Sequence, residues 1–293
     1  MNRLGLFRLE WLLLIASIIN LVLIPFTSPY YIGLFLSSFL IFLSLSLHPK
    51  IEREIYQPEP IIVIEPEKKD KEDKEDNFVE RVYEWSFPID IGGEKINFKK
   101  EFLKILISMK EFKEKREKNP TKEKDFGLDF GLGVLKELVE NGITREVKEV
   151  ATHIRDTTLR ENLCDYLEII NAISFVQEAI KYVSDEESTG LEDYWKYPIE
   201  TLYDKGGDCE CKSILAVSIL KILGKDVIFI FISWPGSSHM AVGISGADNF
   251  PEGFNFIPYR GRKYFYCEVT AKGWLPGQIP PEFNFEKVEI IPI

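Results

Sequence analysis

Lys205-Gly-Gly-Asp-Cys-Glu-Cys-Lys-Ser213, running straight into the apolar stretch Ile214 to Leu223, is where the fold is decided. Gly206-Gly207 lets the chain turn sharply, Asp208 offers an N-cap carboxylate, and Cys209 then falls in the first turn of a helix. From Ile214 to Leu223 only Ser218 and Lys221 interrupt the apolar run, and a helix without a polar face is a buried one. Three strand-like runs follow, over 227–233, 239–245 and 263–270. They are joined by Trp234-Pro-Gly-Ser-Ser238 and by a Pro- and Gly-containing loop over 246–262. One buried helix packed on an antiparallel sheet is an α+β arrangement.

Upstream, Arg145 to Val183 is the main helical block. Ile169, Ile173, Val176, Ile180 and Val183 are spaced 4, 3, 4 and 3, which is one apolar stripe. Gln177 sits at the edge of that stripe. Val82–Pro88 and Ile89–Phe98 have the character of short strands, the second folding around Gly92-Gly93, and Lys99 to Lys118 is expected to be helical, closing at Asn119-Pro120. The segment Gly127 to Gly133 lacks the spacing of a phosphate-binding loop and is expected to be a turn between helices. There is no internal repeat.

The 293 residues carry 36 Lys and Arg against 47 Asp and Glu, a net charge of −11, with 45% apolar residues. That balance excludes an electrostatic nucleic-acid binder and is compatible with a sizeable core. The cysteines, at 164, 209, 211 and 267, are too few and too unevenly placed for a disulfide framework and read as thiols. Near the N-terminus, apolar runs at about 9–26 and 30–47 read as a transmembrane helical hairpin, for which about 20 apolar residues per span are needed. Arg3 and Arg8 before it, and Lys50 and Arg53 after it, place both ends in the cytoplasm, so a multi-pass cell-membrane protein is expected. The organisation read from the sequence is therefore a membrane anchor over 1–53 and a charged, Pro-containing linker over 54–77. A strand and helix region over 78–165 and a catalytic domain over 166–293 complete it.

Only three histidines are present, His48, His153 and His239. His239 opens a strand in which Ala241 and Gly243 share its face, small enough for close packing. Alternation over Tyr264 to Thr270 puts Tyr264, Tyr266, Glu268 and Thr270 on one face and Cys267 on the other. A helix N-terminus favours thiolate over thiol at Cys209. Nucleophile, imidazole base and orienting carboxylate form the minimal set for thiol acyl chemistry. Cys209, Cys211, Cys267 and His239 also supply the four ligands a structural zinc prefers, but the one-residue spacing on a helix and the opposite face of Cys267 argue against their converging.

Gly207-Asp-Cys-Glu-Cys-Lys-Ser213 with its apolar helix, His239-Met-Ala-Val-Gly243 and Tyr266-Cys-Glu-Val-Thr-Ala-Lys-Gly-Trp274 together resemble the transglutaminase-like superfamily of papain-fold cysteine enzymes. Phe175 to Tyr182 and Tyr197 to Leu202 are similar to its microbial, membrane-associated branch. The resemblance covers roughly the last 130 residues. It implies a triad with Cys209 as nucleophile, His239 as general base and acid, and Glu268 as the orienting acid, where the wider family more often has Asp. Cys211 stands where an Asp commonly follows the Cys-Glu pair. Two residues along a helix is about 200° of rotation, so Cys211 should point away from whatever Cys209 faces. Gln177 and Trp195 are candidates for a side-chain oxyanion donor beside the Cys209 N–H. The implied activity is a peptidase or amidase working on a protein or peptide substrate, without metal or cofactor. A cross-linking acyltransferase and a non-catalytic binding module of the same fold are the alternatives.

Overall fold

The computed structural model describes residues 76–90, 96–122, 128–234, 236–246, 250, 255–281 and 287–293. All of them belong to one of two compact units, Glu72–Ile293. The first elements, β1 (Phe78–Asp90) and β2 (Asn97–Ser108), form an antiparallel hairpin in which Val82 faces Lys104 and Trp85 faces Glu101. Tyr83, Trp85 and Phe87 on one strand, and Ile105 and Ile107 on the other, point inward, while Val82, Phe102 and Leu106 point out.

The helix expected over 99–118 is thus mostly strand. Inward Glu101, Ile105 and Ile107 alternate with outward Phe102, Lys104 and Leu106, a period of two that the mixed charges disguise as helical spacing. The helix begins only at Ser108, whose hydroxyl accepts the Glu111 N–H at 3.1 Å, giving α1 (Met109–Glu117). A second correction falls just downstream, where the expected turn at 127–133 is taken up by α2 (Leu128–Glu140).

The helical block then divides into α3 (Arg145–Arg160) and α4 (Asp165–Ala179). Ile169, Ile173, Val176 and Ile180 are buried. At Ile180 the backbone turns extended and enters β3 (Lys181–Tyr182), so Val183 lies beyond the helix. Trp85 of β1 donates its indole N–H to Asn171 Oδ1 of α4 at 2.8 Å in the interior, pinning the hairpin to the helix. Short α5 (Asp185–Thr189) and α6 (Pro198–Asp204) follow. Then β4 (Gly206–Gly207) pairs in parallel with β3 immediately before α7 (Cys209–Ile222).

Asp208 caps α7, its carboxylate accepting the Cys211 N–H at 3.1 Å, and residues from Cys211 to Leu220 are buried on every side of the helix, as an all-round apolar sequence requires. Beyond it β5 (Asp226–Trp234), β6 (Ser237–Ser245), β7 (Phe256–Tyr259), β8 (Arg262–Cys267) and β9 (Val288–Pro292) make an antiparallel sheet in the order β7-β8-β6-β5-β9. One sheet face, with Phe229, Met240, Val242, Ile244 and Cys267, joins the core around α7. The other gathers Ile228, Ile230, Ile232, Ala241, Tyr264 and Tyr266 into a second cluster. The larger cluster holds residues from Tyr83 to Ile291.

The expected two-span anchor and multi-pass membrane localisation are corrected: among the described residues no helix is long and apolar enough to cross a membrane. The buried helix α7 has 14 residues, a rise of about 21 Å against a hydrocarbon core of about 30 Å, and its apolar surface is used by the protein interior. The runs at 9–26 and 30–47 lie outside the described residues, as does nearly all of the stretch read as a linker.

Candidate active site

Three elements carry the sequence-predicted residues, and hydrogen bonding joins two of them, His239 and Glu268. Cys209 enters on the first turn of α7, His239 on β6, and Glu268 on the residue that follows β8. All three are buried, Cys209 and His239 at 8% and 9% exposure and Glu268 at 2%. The helix lies against β6, since Ser213 of α7 donates its hydroxyl to Met240 O at 3.1 Å. The backbone N–H of Met240 is directed at the Cys209 sulfur, which places the thiol beside the residue next to His239. Cys209 also lies within electrostatic range of Tyr266.

His239 Nε2 meets Glu268 Oε2 at 3.0 Å. The same oxygen accepts the Tyr266 hydroxyl at 2.8 Å, and the other carboxylate oxygen accepts the Thr270 N–H at 2.8 Å and the Thr270 hydroxyl. Burial would push this carboxyl up, but the hydrogen bond and charge of His239, with the Thr270 bonds, outweigh it and hold Glu268 down to about 2. An ionised Glu268 can only accept, so Nε2 carries the shared proton and Nδ1 of a neutral ring keeps its lone pair. That is the arrangement a general base needs.

The thiol itself is not poised as an anion. Burial pushes Cys209 up, and the Glu210 carboxylate and Asp208 add to it. The S–H donates to Glu210 Oε2 at 2.9 Å. The expectation that the helix N-terminus favours thiolate is therefore overridden locally: a partial positive charge at the helix end is opposed by the Glu210 carboxylate in contact with the sulfur. Glu210→Gln removes the nearer charge and should raise the rate of Cys209 alkylation by neutral iodoacetamide at neutral pH about tenfold, the effect of lowering a thiol by one pKa unit. Site-resolved mass spectrometry measures it, and an unchanged rate would show that this bond does not hold the proton.

Cys211 points elsewhere, as the rotation along the helix requires. Its sulfur accepts the Lys196 N–H at 3.3 Å and its S–H is directed to Tyr194 O at 3.5 Å, against buried Asp185. Burial and the charge of Asp208 push Asp185 up to about 7, and burial and Glu210 push Asp208 up to about 6, so the two carboxyls share a proton near neutrality. Cys267 is buried with its sulfur near Phe265 O at 3.7 Å. The four zinc-type ligands weighed from the sequence are thus not convened. The cluster with metal-ligating types among the described residues is instead Asp185, Asp208 and Cys211.

Gln177 is buried, and its side-chain amide donates to Glu268 O at 2.7 Å and Trp274 O at 3.0 Å while its oxygen accepts the Gly273 N–H at 3.3 Å. It braces the loop that carries the acid. Trp195 is held on the Cys211 side of α7, with its carbonyl accepting from Asn119 Nδ2 at 2.9 Å and its N–H bonded to Thr121 Oγ1 at 3.1 Å. His153 pairs with Glu101 at 2.9 Å, away from the thiol, and His48 lies outside the described residues. Glu210 and Lys212, both in the quoted motif, carry interactions that the sequence reading passed over. A lone lysine one turn into an otherwise apolar helix was the available signal for the second.

No family model matches the sequence, and no curated protein matches it. A solved structure described as "Crystal structure of a TGase" is similar over 57% of this chain and 46% of that one, at 11% identity and a TM-score of 0.26. The chain thus spans under half the length of that structure, and a likeness this slight carries no argument about fold or chemistry.

Proposed function

We propose that the protein is a transglutaminase-like cysteine enzyme that cleaves an amide or ester of a protein or peptide through a thioester on Cys209. The observation that carries this reading is the buried His239–Glu268 pair, its carboxylate accepting from His239, Tyr266 and Thr270, on the strand whose Met240 N–H is directed at the Cys209 sulfur.

In the proposed reaction His239 Nδ1 takes the proton from Cys209 as sulfur attacks the carbonyl carbon. The imidazolium is stabilised by Glu268 through Nε2. The oxyanion is met by the Cys209 backbone N–H, one of the first-turn amides that have no acceptor within their own helix. Collapse breaks the bond to the leaving amine or alcohol, which receives the proton from Nδ1, and the acyl group stays on sulfur. Water then attacks with His239 again as base, releasing the acid and restoring the thiol. An amine in place of water would transfer the acyl group instead.

The test is acylation of the full chain by p-nitrophenyl acetate, followed by release of nitrophenolate and by peptide mapping. The expected result is a burst equal to one site, with the acetyl group on Cys209, absent from Cys209→Ser. Cys164 is the exposed cysteine and so the one that simple access would favour. Acetylation at Cys164 without any at Cys209 would remove the enzyme reading.

A further inference from the structure

Lys212 lies one turn beyond Cys209 on α7, and it is fully buried. Its ammonium donates to Ile180 O at 2.7 Å, where α4 ends, and to Thr270 O at 3.4 Å. Thr270 is the residue whose N–H and hydroxyl hold Glu268. One side chain on the nucleophile's helix therefore grips the turn that carries the acid, and Gln177 braces the same loop through Glu268 O and Trp274 O.

A buried ammonium is retained only where something repays its lost hydration. The second fully buried lysine, Lys196, has Asp204 in contact at 2.8 Å. Lys212 is tied to carbonyls, and the charge drawing on it is Glu268 itself. Burial pushes it down to about 8, with the Glu268 charge pulling the other way. A lysine that only filled the flank of α7 would serve as well with its stem alone.

We propose that Lys212 is a positioning residue of the site, setting Glu268, and through it the His239 imidazole, against the thiol. The inference rests on the acyl-transfer reading for its kinetic consequence, but its structural consequence is readable without turnover. In the full chain, Lys212→Met, Lys212→Arg, Glu268→Gln and the double variant Lys212→Met/Glu268→Gln are compared by acylation kinetics and by NMR titration of the His239 ring.

Lys212→Met should move the His239 midpoint toward that of Glu268→Gln and slow acylation about tenfold or more with KM little changed, as a small misplacement of a reacting group does. On the Glu268→Gln background the same change should have no further effect, and Lys212→Arg, which keeps charge and donors, should retain most of the wild-type behaviour. An unmoved His239 midpoint, or an equal loss with and without Glu268, would overturn the proposal. If Lys212→Met does not fold, Lys212→Gln, which keeps a donor but not the charge, carries the same comparison. A wild-type chain that is never acylated, yet shows the Glu268-dependent shift, would count against the enzyme reading while supporting the positioning role.

Discussion

Acylation of Cys209 is expected to fall by about two to four orders of magnitude in His239→Ala, the range a lost general base accounts for. The size of the effect follows from the state of the thiol. Burial, Glu210 and Asp208 all keep the proton on sulfur, so there is no standing thiolate to react without help. The loss should therefore be large in this protein, where in an enzyme with a preformed thiolate it would be buffered. Stopped-flow measurement of the nitrophenolate burst provides the number, with Glu268→Gln expected to lose less because it acts through the ring. Glu268 is held down to about 2, below its ordinary value, so it stays ionised over the working range. A burst in His239→Ala within a few-fold of wild type would show that the imidazole is not the base. The same lowered carboxyl stabilises the fold above about pH 4.5, and that contribution is lost as the pH falls towards 2.

Gly207→Ala is expected to destabilise the protein by about 3 kcal/mol, at the upper end of what overpacking usually costs. A Cβ on Gly207 would sit 2.5 Å from the Cβ of Cys211 and 3.5 Å from its sulfur. The first of these is not the far end of a flexible side chain. It moves only with the backbone of α7, and that backbone is held by the Asp208 cap and by Lys212. Relief must come either from shifting the helix start, which displaces Cys209 from Met240 and His239, or from breaking the β3–β4 pairing. Urea titration should report the lost stability, and acylation at subdenaturing conditions should fall with it. Gly133→Ala is the matched control: nothing lies within 4 Å of a Cβ there, and in the interior of α2 alanine is the better helix former by about 1 kcal/mol. A variant at 207 as stable as the one at 133 would mean that α7 can slide freely at its N-terminus.

The parts of this fold that could be read from the sequence are those governed by neighbours along the chain. The α7 helix announced itself through an N-cap carboxylate and an apolar run with no polar face, and the strands after it through alternation. Glu268 and Tyr266 share a face by period two, and hydrogen bonds join Glu268 to both Tyr266 and His239. The misreadings have a common physical origin in side chains whose fate depends on distant partners. Glu101 is inward because Arg160 and His153 receive it, and nothing near position 101 says so. Lys212 and Glu210 look like solvated charges in a motif, yet one is buried between two carbonyls and the other accepts the hydrogen bond of the thiol. The Gly131 and Gly133 that suggested a turn are tolerated in α2, where a Cβ at the first would only touch the Trp195 ring at 3.4 Å and one at the second would meet nothing.

The position of β9 bears on how safely this molecule can be made. β5 is the first strand of the main sheet to be synthesised, and its run Val227-Ile-Phe-Ile-Phe-Ile232 is uncharged and rich in β-branched and aromatic residues. β6 covers one of its edges at once, but the other is covered only by Val288–Pro292, some sixty residues later in the chain. Until those last residues dock, the nascent protein presents an open, sticky edge of the kind that recruits other copies of itself. Loss of Val288–Pro292 would leave Cys209, His239 and Glu268 in the polypeptide and yet endanger solubility before it touched the chemistry.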